Sequence, residues 1–518
     1  MSTKAFIKNS ILIAVLFTAG YSLHGQNPKT ARSVFKDGNY FKAIEIYTKL
    51  LEKEPNNPEY NFNMGMSYLN TNIDPKRALD YLLKTEMEGK FDDELLLHIA
   101  RAHTHHLDYE NALIYLHKYR LVAGNRAMKN PVYHKLKADC ITAQDLLKYP
   151  VNVQFQNLGS NINSPFPDYN PFITGDGSKI IFTTRRKQRP GAKPEFDGYY
   201  PSDIMTSVKK PDGWFFSDRL SDKINSVFDE QSVGLSKNGD TLYFYIDHVD
   251  DVGDIFMSTL KNKIYSTPKR LGPEINTSAM ESACSISQDG NKMLFSSMRP
   301  GGLGGFDLYM IRKTGRNTWS EPENLGPEIN TPLNEDYPTL SADGNTLFFC
   351  SNGHPGMGGY DLFFSTWDEE SKIWTKPQNM GYPINSPGDE KNISFMDNAT
   401  TAVMAALRPD SYGDLDIYQV DYALIDDNAP SLFLFNLALP EGETLPELRV
   451  KNNYAELIGS YFPNRLTGLY VLALYPGKYY LYIDAPGYVP YNEVLVVNQF
   501  HKRQDNNVRF IKLTENPK

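Results

Sequence analysis

Five carboxylic acids stand at one fixed spacing. Asp168, Glu230, Glu281, Glu335 and Glu390 each lie five residues after the Asn of an Ile-Asn-(Ser/Thr) tripeptide, at Asn163, Asn225, Asn276, Asn330 and Asn385. Acids gathered round one axis suit a cation or a basic peptide. Two at one spot suit the acid and base of glycoside hydrolysis. Hydrolysis needs the pair in unlike surroundings, so that they hold unlike pKa values. Acids that follow a repeat share like surroundings, so the expectation for all five is structural, each making the same hydrogen bond in its own unit.

Other chemistry is sparse. The glycine-rich stretch at residues 301–305 lacks a following Lys-Ser/Thr and does not open a helix, which excludes a nucleotide phosphate loop. There is no Gly-x-Ser-x-Gly elbow for a nucleophilic serine. Cys140, Cys284 and Cys350 show no metal-ligand spacing. A Cys284–Cys350 bridge and buried free thiols are the two readings of these residues. The expectation is a chain with no metal, no cofactor and no catalytic residue, and so not an enzyme.

The acids belong to a larger unit. Thirteen residues after each of the first four Asn residues comes Asp-Gly or Asn-Gly, at Gly177, Gly239, Gly290 and Gly344; the fifth copy has Asp397-Asn398. Such pairs tolerate the positive φ of tight turns. Apolar strands follow, then Asp-aliphatic-(Met/Phe/Tyr) at Asp203, Asp254, Asp307, Asp361 and Asp416. An aromatic residue, Trp214, Tyr265, Trp319 or Trp374, precedes the next Asn by eleven residues. Four strand signals per unit describe one blade, and five units over residues 150–422 describe a five-bladed β-propeller. The fifth unit stops near Tyr422 without its fourth strand. Residues 151–155 occupy the fourth-strand position of a missing preceding unit, so they are expected to pair with the last blade and close the ring.

Before the propeller, residues 28–149 carry helix-turn-helix units, with Ala43, Ala78 and Ala112 at a period near 34 residues. This predicts a helical stack with a concave groove, and residues 131–148 as its terminal helix. Counting along the inner helices places Asn70, Arg101 and His105 by that groove, as peptide-binding or merely solvated groups. After a linker at residues 425–430, residues 431–518 alternate strands and turns and suit a seven-strand β-sandwich. The fold class is thus multidomain α plus all-β.

Composition agrees. Net charge is −9, and the segment 150–430 holds 24 basic against 38 acidic residues, which argues against nucleic-acid binding. Lys4 and Lys8 precede an apolar run, too short to span a bilayer, and small residues follow. Residues 1–25 therefore read as a signal peptide, and export without a lipid-accepting Cys is expected.

At these residues the chain resembles known families. The helical stack resembles tetratricopeptide repeats. The blades resemble the TolB-like, WD-type propeller repeat, best matched by Arg-Pro-Gly-Gly-Leu-Gly-Gly-Phe-Asp-Leu-Tyr from Arg299 to Tyr309. Residues 467–488 look like a carboxypeptidase regulatory-like domain. The order of all three resembles the PorE-like periplasmic envelope proteins of type IX secretion and gliding systems. Those relatives continue into an OmpA-like domain, to which nothing before Lys518 corresponds. The resemblance implies a periplasmic scaffold or adaptor, free in the periplasm or associated with the outer membrane. Its implied partners are envelope or secretion-apparatus proteins. The alternatives are a propeller glycoside hydrolase and a glycan-binding protein.

Overall fold

Three helices begin with Asn-Pro. In α1 (Pro28–Lys36), α3 (Pro58–Leu69) and α8 (Pro131–Lys148) the preceding Asn accepts a hydrogen bond from a free first-turn N–H, and the proline sits where no donor is needed. Between them run α2 (Tyr40–Lys53), α4 (Ala78–Met87), α5 (Leu95–His105), α6 (Tyr109–Ala123) and the short α7 (Asn125–Met128). Successive helices pack as neighbours. Ala43, Ala78 and Ala112 are wholly buried where they cross. At Gly65 a Cβ would come within 2.7 Å of Leu82, so α3 and α4 approach too closely for any side chain there.

The computed structural model describes residues 27–89, 91–248, 251–316, 318–422, 430–438, 445–464, 467–502 and 507–516. The signal segment and most of the 425–430 linker lie outside the described residues. No described helix is long and apolar enough to cross a membrane.

Residues 153–422 form five antiparallel sheets, the blades of a β-propeller. Their first strands are Asp168–Ile173, Asp229–Leu235, Glu281–Ile286, Glu335–Leu340 and Ile393–Phe395. The first strands of blades 5, 1, 2, 3 and 4 lie successively against one another, which places them round the axis. The closing strand is Val153–Asn157, two residues later than the pattern suggested, and it pairs antiparallel with Asp416–Tyr422 of blade 5.

The Ile-Asn pairs explain the repeat. Each Ile is buried, and each Asn amide clamps the third strand of the preceding blade. Asn330 accepts from Leu308 N–H at 2.8 Å and donates to Leu308 C=O at 3.0 Å. Asn225, Asn276 and Asn385 treat Ile204, Ile255 and Leu362 alike. Asn163 does the same to Ile417 of the last blade, a second latch on the closed ring. In blades 3 and 4 a glycine-rich loop wraps the aspartate that opens the third strand, Asp307 and Asp361. Leu303 and Gly304 N–H groups donate to Asp307, and a Cβ on Gly302 would lie 2.6 Å from that carboxylate.

Residues 431–512 add seven described strands in two sheets, ordered by three and by four. This region rests on the rim of blades 4 and 5. Phe500 inserts among Phe348, Phe364, Phe395 and Tyr422. Lys478 pairs with Asp368 at 2.9 Å. All three cysteines are buried and free, so the Cys284–Cys350 bridge is absent.

Candidate functional site

The five repeat acids are buried, each held by the hydroxyl residue four positions before it. Thr331 donates to Glu335 from its N–H at 2.6 Å and its hydroxyl at 2.8 Å; Thr277 does so to Glu281. Ser164, Ser226 and Ser386 serve Asp168, Glu230 and Glu390. Arg186 pairs with Asp168 and Arg299 lies 3.6 Å from Glu281. In blade 4 the corresponding residue is His354, whose imidazole burial lowers to about 4, so Glu335 has no cation there. Burial pushes Glu230, Glu335 and Glu390 up to about 7. These acids face into their own blades.

The next position along each first strand breaks the symmetry. It holds Tyr169, Gln231, Ser282, Asp336 and Lys391. Asp336 is buried and accepts from Ser282 Oγ and from Tyr337 N–H, both at 2.7 Å. Burial raises its carboxyl, opposed by those donors and by Lys391. Strand bulges put Asn170 and Tyr337 at φ of +49°, and Asn170 donates to the Tyr337 hydroxyl at 2.9 Å, joining blades 1 and 4. Bulges with left-handed non-glycine residues are costly and concentrate at working sites.

Around this mouth, loops reach toward the helices. In the long blade 1 loop, Arg185 binds Asp197 and Glu195, and the Glu195 carboxyl is raised by burial and by nearby Asp229. Tyr199 of the same loop stacks edge-on against Phe41 of α2 and donates to Asp414, which also accepts from Asn72 at 3.0 Å. Opposite, Gly356 N–H donates to Asp139 of α8 at 2.9 Å, and Tyr109 of α6 donates to Met357 C=O at 3.2 Å.

Asn70 lies at the C-cap of α3, and Arg101 and His105 lie on α5. Asn70 caps α3, and Arg101 donates to Leu69 C=O at 3.0 Å and to Asn70 Oδ1 at 3.4 Å. Arg101 keeps exposed surface. Burial lowers its guanidinium and the Asp389 carboxylate of blade 5 opposes that shift, which sets the two within electrostatic reach. Burial and neighbouring Arg101 push His105 down to about 3, so it is neutral. The mouth thus brings Asp336, Lys391, Tyr360 and Asp389 near one another, with Arg101 within electrostatic reach of Asp389. Lys391 lies 5.1 Å from the Tyr360 ring, and Tyr360 N–H donates to Asp389 at 2.9 Å. Such a set can bind a ligand with both charged and neutral hydrogen-bonding groups. Among the described residues no His/Cys/Asp/Glu group is arranged to hold a metal ion.

The axial residues escaped the sequence reading because the repeat drew attention to the acids one position earlier. Comparing the five copies at the following position would have exposed them.

No family model and no curated protein matches the chain. Solved structures do. TolB from Acinetobacter baumannii is 15% identical, with 56% of this chain and 69% of that chain covered and a TM-score of 0.31. The α-L-arabinofuranosidase PaAbf62A from Podospora anserina is 13% identical, with 53% and 98% covered and a TM-score of 0.32. A β-1,2-mannobiose phosphorylase from Listeria innocua is 10% identical, with 52% and 96% covered and a TM-score of 0.35. These likenesses concern the propeller fold alone. They correct one expectation. Glycan-cleaving enzymes stand beside TolB among the matches, so the statement that the chain is not an enzyme is withdrawn.

Proposed function

We propose that the chain is an exported envelope protein that binds its ligand at the propeller mouth, beneath the concave side of a tetratricopeptide-like stack. The observation that carries this reading is the docking of the helices on the propeller loops, where Asn72 meets Asp414 on one flank and Asp139 meets Gly356 on the other, with Asp389 within electrostatic reach of Arg101. The ligand is proposed to be a segment of an envelope or secretion-apparatus protein, as the PorE-like resemblance implies, and the location periplasmic. Arg101→Ala and Asp389→Asn are each expected to abolish cross-linking of one partner in envelope extracts without changing the melting temperature. Partner cross-linking that survives both changes refutes the site.

A second reading, a glycan-processing or glycan-binding propeller, has its own observation. Asp229, Asp336 and Asp389 come from three blades and sit in unlike surroundings, buried at Asp336 and exposed at Asp389, as acid–base division of labour requires. Glycan cleavage by the purified chain that Asp336→Asn and Asp389→Asn each abolish would establish it.

A further inference from the structure

A separate site lies between blades 3 and 4. Lys292, Arg312, Trp367, Glu369 and Lys372 line a cavity of ≈ 360 Å³ there, within the range of about 300–1,000 Å³ that small-molecule sites occupy. Lys292 opens the second strand of blade 3 and Arg312 ends its third. The two are directly opposed across the antiparallel pair. Like charges facing each other in this way destabilise a sheet. Among the described residues neither has a carboxylate at ion-pair distance.

The same pair of positions shows what the fold itself asks for. It holds Lys179 and Val208 in blade 1, Thr241 and Thr259 in blade 2, Thr346 and Thr366 in blade 4, and Thr401 and Asp421 in blade 5. Only blade 3 opposes two cations, so the propeller does not need them. Both stand over one ring, each 5.6 Å from the Trp367 centroid. Trp374 packs edge-on against Trp367. Two acids, Asp289 and Glu369, feel Lys292, and both are already engaged. Asp289 accepts from Ser287 Oγ and from the Asn291 N–H and side-chain amide within its own turn. Glu369 accepts from Trp367 Nε1 at 2.7 Å and pairs with Lys372. Two unpaired cations thus remain in a segment where acids outnumber bases by 38 to 24.

We propose that this cavity binds the oxyanion of a small organic carboxylate or phosphate, bridged between Lys292 and Arg312, with its carbon skeleton filling the space beside Trp367. The planar fork of Arg312 suits two oxygens of one such group, and Lys292 supplies a point charge from the opposite side. The bound anion removes the repulsion that the empty pair carries.

Isothermal titration of the full chain at low ionic strength with glucuronate, glucose 6-phosphate, inorganic phosphate and uncharged glucose tests this. At least one of the two organic anions should bind saturably. Its affinity should fall at least tenfold in both Lys292→Gln and Arg312→Gln, and should be unchanged in Lys179→Gln, the counterpart in blade 1. Preference for glucuronate assigns a carboxylate ligand, and preference for glucose 6-phosphate a phosphate ester. Binding of neither organic anion, binding that both variants retain, or inorganic phosphate or glucose binding as tightly as the organic anions would overturn the proposal.

Discussion

Glu335→Gln isolates what burial does to a repeat acid. Glu335 has no exposed surface and accepts from Thr331 and from Ser351 Oγ. Burial, with a smaller contribution from Asp307, lifts its carboxyl from 4.5 in an unfolded chain to about 7. The sign follows from proton uptake. A carboxyl raised in the folded state binds its proton more tightly there than in the unfolded chain. It therefore costs no stability below about pH 4.5 and an increasing amount as pH rises to about 7, after which the penalty is constant. Between about pH 5.5 and pH 8.5 the wild type should lose ~2 kcal/mol through this one group, at 1.36 kcal/mol per pKa unit.

Glutamine keeps the size and cannot ionise. Its amide leaves one donor without a good acceptor, which costs about 1–3 kcal/mol at every pH. The variant should therefore gain ~2 kcal/mol on the wild type between about pH 5.5 and pH 8.5, and be level with it or more stable at the upper value. Urea unfolding followed by tryptophan fluorescence at both pH values measures the difference. A gap between variant and wild type that stays the same at the two pH values would refute the reasoning, because Glu335 would then titrate as an ordinary carboxyl.

Other consequences are as direct. Asn330→Ala strands the Leu308 N–H and C=O inside the blade and should cost about 2–4 kcal/mol, read by chemical unfolding. Removing residues 153–157 leaves the Asp416–Tyr422 strand as an open edge, and light scattering should show aggregation on warming. Phe500→Ala empties a pocket between blades 4 and 5; a loss of about 3–5 kcal/mol should appear as faster proteolytic release of residues 431–518 with the propeller intact.

What could be read from the chain follows from how often each contact is made. The Asn clamp is built five times, and each copy needs an amide that accepts and donates at one strand position, so in four of them Asn recurs 21 to 23 residues after the residue it clamps. The period of 34 in the helices has the same origin, since every crossing needs a residue as small as Ala43. The closing strand was legible as the one element the repeat lacked. The docking of the helices had no such signal. Asp414 meets Tyr199 and Asn72 from 215 and 342 residues away, and Asp139 meets Gly356 from 217. Each contact is made once, by residue types that are common on surfaces.

The same logic says where function should be sought. A blade constrains the residues it uses in every copy, so Glu335 and its counterparts keep their type. It leaves free the position beside them, and there the five blades carry a tyrosine, a glutamine, a serine, an aspartate and a lysine. Asp336 is the telling member. A buried carboxylate without an ion pair is expensive, and the other four blades close round the axis without one. Replacing Asp336 by Ser, the residue blade 3 uses at that position, should therefore raise the melting temperature while weakening whatever binds at the mouth. A variant that melts lower and binds unchanged would instead make Asp336 part of the scaffold, held for its bonds to Ser282 and the Tyr337 N–H alone.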